Sequence, residues 1–209
     1  EKEINKKNFD FKIHKKSFDA RKGLNFVYQA VIDLDLDDID AKIQKRLKNN
    51  LADFQEDKLE VGNKNKIESA IIVGTGPAGL FAAYLLAKKG VKVTLIERGK
   101  AVDERVEDID QLHKTGVLNE ESNVQFGEGG AGTFSDGKLT SRSKDKRMGQ
   151  IFDIFVDHGA PEDILYEQKP HIGTDILRDV IKNMRKEIES LGGVYHFSEK
   201  FLDFELDDG

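Results

Sequence analysis

Residues 69–97 hold the pattern that leaves this 209-residue chain least freedom. Ser69-Ala70-Ile71-Ile72-Val73 is short and largely apolar, which fits a buried parallel strand. Gly74-Thr75-Gly76-Pro77-Ala78-Gly79 follows directly. Pro77 to Lys89 then carries Leu80, Ala83, Tyr84, Leu85, Leu86 and Ala87, a helix pattern stopped at Gly90. Val91, Val93 and Leu95 make a second strand that ends in Glu97. Strand, helix and strand form a βαβ unit, which the handedness rule makes a right-handed crossover.

The glycine spacing inside that unit has a specific physics. Gly74 allows a tight turn, Gly76 lets the backbone approach a pyrophosphate, and Gly79 lets helix and strand pack closely. The helix N-terminus directs unpaired N–H groups and a positive partial charge at the phosphates. Glu97, 18 residues past Gly79, can accept hydrogen bonds from ribose hydroxyls. A carboxylate there repels a 2′-phosphate, which disfavours NADP. The expected fold is α/β, with a Rossmann-type domain over 69–209 and a small α+β domain over 1–68.

In the first 68 residues, Phe9, Phe11 and Ile13 alternate with polar residues. Leu24, Phe26, Tyr28, Ala30, Ile32 and Leu34 recur at every second position, the mark of a half-buried strand. Asp35 to Asp40 can start a helix, along which Ile39, Ile43, Leu47 and Leu51 form a narrow apolar stripe. Residues 56–66 read as a linker. Beyond the βαβ unit, helices are expected over 102–113, 148–156 and 177–191, the last capped by Thr174 or Asp175. Strands are expected over 194–197 and 201–206, with a hairpin turn at 207–209.

Five of the 19 glycines fall between Gly127 and Gly137. Gly127, Gly129 and Gly132 also satisfy G-x-G-x-x-G, but no buried strand precedes them and Thr133 to Gly137 is turn-forming, so a second dinucleotide fingerprint is rejected. Gly132 to Lys138 matches G-x-x-x-x-G-K, yet Leu139 stands where an ATPase loop needs Ser or Thr for magnesium. What remains is a loop dense in backbone N–H groups, with Thr133, Ser135 and Lys138 as further donors, able to wrap an anion or lie against a flat ring.

Several long segments together allow a resemblance. They are Gly74 to Gly79, Glu97-Arg98-Gly99, Phe126 to Leu139, Pro170-His171-Ile172-Gly173-Thr174-Asp175, and Ser17 to Lys22. This combination resembles the bacterial uncharacterised FAD-dependent dehydrogenase family, with NAD as the alternative cofactor. The resemblance implies a FAD domain of the glutathione-reductase type. It implies that Gly74, Gly76, Pro77, Ala78 and Gly79 cradle the pyrophosphate, with Glu97 on the adenosine ribose and Arg98 beside adenine. Gly129, Gly130, Thr133, Ser135, Gly137 and Lys138 would lie near pyrophosphate, ribityl chain or flavin, and Phe201 near adenine. The family closes its site with a later Gly-Asp segment that does not occur up to Gly209. The chain is therefore expected to be an N-terminal fragment in which FAD could be absent.

Other chemistries are not supported. Zero Cys excludes disulfides, thiolate zinc sites and a Cys nucleophile. The five His show no metal spacing, and no G-x-S-x-G is present, so no metal site is expected and the catalytic residues stay unassigned. His171 reads first as part of a loop leading into a helix, and second as a proton donor near substrate. Lys138 reads equally as a solvated lysine or as a positive charge beside the flavin. No apolar run approaches a membrane span. A formal charge of −6 argues against nucleic acid. The expected function is a cytoplasmic FAD-dependent oxidoreductase acting on a small molecule of unassigned identity. The rivals are a flavin-dependent RNA-modifying protein and an inactive cofactor-binding fragment.

Overall fold

A short parallel sheet of three strands, residues 69–73, 92–97 and 194–197 side by side in that order, carries the glycine turn at one of its ends. The computed structural model describes residues 10–21, 23–33, 41, 42, 45, 52, 54, 67–140, 145 and 147–206. The expected helix stripe through Ile39 to Leu51, the linker over 56–66 and the turn at 207–209 lie outside or largely outside these residues.

The described elements run as follows. An antiparallel hairpin comprises β1 (Phe11–Asp19) and β2 (Asn25–Ile32). The βαβ unit follows as β3 (Ser69–Val73), α1 (Pro77–Lys88) and β4 (Lys92–Glu97). Then come α2 (Val102–Thr115), a 3₁₀ turn at Ala131–Phe134, α3 (Met148–Asp157), a 3₁₀ turn at Glu162–Leu165, α4 (Thr174–Ser190) and β5 (Val194–Phe197). The register pairs Ile72 with Leu95 and Leu95 with Tyr195. The mixed α/β architecture with a Rossmann-like parallel sheet is as the sequence indicates.

One face of that sheet holds the core. Leu80, Ala83, Tyr84 and Ala87 of α1 meet Val93 and Leu95 of β4 and Val180, Ile181, Met184 and Ile188 of α4. The α4 residues recur every three or four positions, so one stripe of the helix is buried. Each fully buried large aliphatic side chain there contributes about 1.5–3 kcal/mol. Phe155, Ile164 and Ile172 extend the core away from the sheet.

Four local expectations are corrected. Among the described residues β3 is an edge strand rather than a buried one, and Ile71 and Val73 are 71% and 56% exposed on its outer face. β2 forms, but Leu24 just before it and Phe26 and Tyr28 within it are exposed rather than half-buried, because no second layer packs on that side of the two-stranded ribbon among the described residues. Residues 201–206 take no regular structure, since no partner strand pairs with them among the described residues. Neither Thr174 nor Asp175 caps α4. Gly173 holds the cap position without a side-chain bond, and Thr174 Oγ1 instead donates to Ser135 O at 2.8 Å.

Candidate dinucleotide site

The site begins with the turn between β3 and α1. Gly74 has φ +92, and its N–H donates to Ile96 O of the neighbouring strand at 2.8 Å. A Cβ on Gly79 would lie 1.9 Å from Gly74 O and 3.3 Å from Ile72 Cγ2, so helix and strand approach as closely as the motif requires. A Cβ on Gly76 would meet nothing within 4 Å. The protein's own packing therefore leaves the space over that glycine open. Pro77 takes the first helical position, where a missing N–H costs nothing, and the N–H groups of Ala78 and Gly79 lie in the first turn without helical acceptors.

Glu97 lies immediately beneath this turn and is 5% exposed. Its Oε2 accepts from Thr75 N at 2.8 Å and Thr75 Oγ1 at 2.9 Å, and its Oε1 accepts from Gly99 N at 2.8 Å. The carboxylate therefore ties the first glycine loop to the loop after β4. Oε1 takes one of the two donors it can accept, which leaves it capacity for a hydroxyl.

The second glycine segment docks on the first. Gly129 N donates to Thr75 O at 2.9 Å, and Glu128 N donates to Lys100 O at 3.1 Å. A Cβ on Gly130, at φ +67, would touch Pro77 Cδ at 3.1 Å and Gly76 Cα at 3.3 Å. Two stretches about fifty residues apart in sequence thus form one backbone surface at the positive end of α1. Thr133 is buried below it, with Oγ1 donating to Glu128 O at 3.3 Å.

Two buried charged groups, to which the sequence reading assigned no role, hold this arrangement. Arg105 of α2 is fully buried. Its guanidinium donates to Asn123 O (2.7 Å), Val124 O (2.9 Å), Glu128 O (2.7 Å) and Gly130 O (2.8 Å), and it lies over the Phe134 ring. Burial pushes its pKa down to about 10, opposed by the charges of Glu97 and Glu128. Glu128 is also fully buried, and Oε2 accepts from Val102 N at the start of α2 at 2.8 Å. Its Oε1 lies 3.2 Å from Arg185 Nε, an ion pair without hydrogen-bond alignment. Burial pushes the Glu128 carboxyl up to about 7, with Arg185 and the Val102 N–H pulling the other way. Arg105 was findable: with Val102 and Ile109 it falls on the apolar stripe of α2.

The remaining expected residues are spread along the edges. The Arg98 guanidinium pairs with Glu121 at 2.7 Å, donates to Glu120 O at 3.2 Å and lies 4.0 Å over Phe126. Ser135, Gly137 and Lys138 belong to an arm that leaves the fingerprint. Ile172 N donates to Gly137 O at 2.9 Å, and Leu139 N to Pro170 O at 3.0 Å. Lys138 pairs with Asp136 at 2.6 Å on the surface, and its backbone bridges to His171. Phe201 is two residues past Glu199, whose N–H donates to Glu97 O at 3.0 Å; it is exposed, and its ring stacks on Phe204.

Comparison with known proteins agrees with this geometry. Residues 72–116 match the NAD(P)-binding Rossmann-like domain family. This part of the chain has a Rossmann-like fold. Over 205 residues the chain is 42% identical to an uncharacterized protein of Clostridium beijerinckii, covering 94% of this chain and 38% of that protein. Over 101 residues it is 33% identical to the digeranylgeranylglycerophospholipid reductase of Methanocaldococcus jannaschii, covering 44% of this chain and 26% of that one. The chain therefore spans under two-fifths of the length of these curated relatives. Among solved structures, THI4 of Thermovibrio ammonificans matches with a TM-score of 0.34 and 20% identity, over 62% of this chain and 38% of that one. No helix among the described residues is long and apolar enough to cross a membrane.

Proposed function

We propose that the chain supplies the dinucleotide-binding part of a FAD-dependent oxidoreductase. The observation that carries the reading is the docking of the second glycine segment on the first, through Gly129 N and Gly130. An NAD site of the simple βαβ kind needs only the first loop. A second, side-chain-poor segment laid across it extends the surface available to a longer cofactor such as FAD. The match of residues 72–116 to an NAD(P)-binding family keeps NAD as the second reading.

The residues fit such a group. The open space over Gly76 and the free N–H groups of Ala78 and Gly79 would hold the pyrophosphate. Glu97, turned inward onto Thr75 and Gly99, would receive a ribose hydroxyl on Oε1. Gly130 would face the pyrophosphate across Pro77, while Arg98 and Phe201 flank the adenosine end. Thr133, Ser135, Gly137 and Lys138 lead away from the helix N-terminus, toward the ribityl and flavin end. Flavin, when bound, supplies hydride or electron transfer, and the protein orients it and sets its electrostatic surroundings. A reductase among the relatives supports redox chemistry of this kind.

The test is equilibrium titration of the chain with FAD, followed by quenching of flavin fluorescence, with NAD titrated by calorimetry. Saturable FAD quenching, lost at least tenfold in Gly76→Asp, is the expected outcome. NAD binding without FAD binding would establish the second reading. No saturable binding of either, or equal binding by Gly76→Asp, would sink both.

A further inference from the structure

We infer that the groove between β1 and residues 139–140, 148–152 and 164–170 binds a small apolar carboxylic acid. The inference rests on the reading above for its meaning. If the glycine segments hold flavin, this acid is the substrate class presented to it.

The groove encloses about 280 Å³, near the lower end of ordinary ligand clefts. Leu139, Met148, Phe152, Ile164, Leu165 and Pro170 make its apolar lining. Several of these pack on the main core, so the floor is rigid. One wall continues the second glycine segment, because Leu139 follows Lys138 directly and pairs with Pro170 one step beyond the Gly137–Ile172 contact. A ligand on that wall lies along the arm that runs from the dinucleotide site.

The mouth supplies the charge. Lys16 N donates to Tyr166 O at 2.9 Å, and Lys16 Nζ pairs with Glu167, which fastens β1 over the groove. That pair leaves Glu167 already matched by a cation. Lys15, the next residue, lines the groove, is exposed, and has no acidic partner among the described residues. His14 lines the same mouth, with its ring edge-on to Phe54 at 5.0 Å. An apolar floor with one unmatched cation at the rim complements an apolar body carrying one anionic end.

Octanoate is the probe, with octan-1-ol as the uncharged control, titrated into the 209-residue chain without FAD and followed by NMR shifts of described groove residues. Saturable octanoate binding is expected, at least tenfold tighter than octanol. Lys15→Glu should weaken it at least tenfold, and Thr140→Trp, at the exposed rim, should block it, with thermal melting of both variants unchanged. Absence of octanoate binding, equal binding of octanol, or binding indifferent to both variants would overturn the inference. FAD is titrated separately. Octanoate binding at this groove without FAD binding leaves the groove standing and overturns only the cofactor reading. FAD binding without octanoate binding does the reverse.

Discussion

The two glycine segments reach the same place by different means. The first, at 74–79, is shaped mainly by its neighbours in sequence: a strand before it, a helix after it, and the close approach of Gly79 to Gly74 and Ile72, with Ile96 and Glu97 of the adjacent strand tying the turn down. The second, at 127–137, has no strand leading into it. Its course is set by groups from elsewhere, chiefly Arg105 of α2, the Thr75 carbonyl, and Ile172 against Gly137. A Cβ on Gly137, at φ +75, would fall 1.6 Å from Ile172 O, so even its conformational demand comes from a residue thirty-five positions away. A backbone-rich surface can thus be built from local chemistry or from distant charged anchors. The second kind exposes the site more to changes remote from it.

That contrast is most open to attack at Arg105. Replacing it with Met leaves four carbonyl oxygens without their donor, two of them buried, and should cost about 4 kcal/mol in urea unfolding. A loss under about 1 kcal/mol would show that the second segment holds itself.

Glu128 gives the next largest effect, through pH. Its carboxyl is raised from 4.5 to about 7 in the fold. The folded state therefore keeps a proton that the unfolded state releases. The associated stability is complete below about pH 4.5 and is lost as pH rises through about 7, by an amount on the order of 3 kcal/mol. Thermal melts across pH 5 to 8 should fall for the wild type more steeply than for Glu128→Gln. Identical slopes would remove Glu128 from the account.

Substitutions within the glycines themselves give the smallest effects and the finest distinction. Gly79→Ala should destabilise by roughly 2 kcal/mol, because Gly74 O must move. Gly132→Ala, with open space around it, should stay within about 0.5 kcal/mol. Equal melting temperatures for the two variants would mean that the turn relaxes freely and that local fit does not shape the first segment.

The residues legible in the sequence were those whose partners are close in sequence. The fingerprint, α1 with its stop at Gly90, and the stripe of α4 from Leu177 to Ile188 follow from spacing and propensity alone. The strand expected over Leu24 to Leu34 forms at Asn25–Ile32, but not in the expected surroundings. Alternation records a face suited to burial, and only a second layer buries it. Likewise, Glu97 was legible as a carboxylate at the end of β4, whereas its bonds to Thr75 and Gly99 depend on two loops meeting.

The sequence by itself determined a βαβ unit with a glycine turn at the helix N-terminus, because strand, turn and helix draw on interactions spanning a few residues. Tertiary structure decided that the second glycine segment lies across that turn, that Arg105 and Glu128 are buried beneath it, and that β1 closes a groove beside Leu139. Those outcomes depend on desolvating charges and on contacts between residues far apart in the chain. Neither leaves a periodic trace in the order of the amino acids.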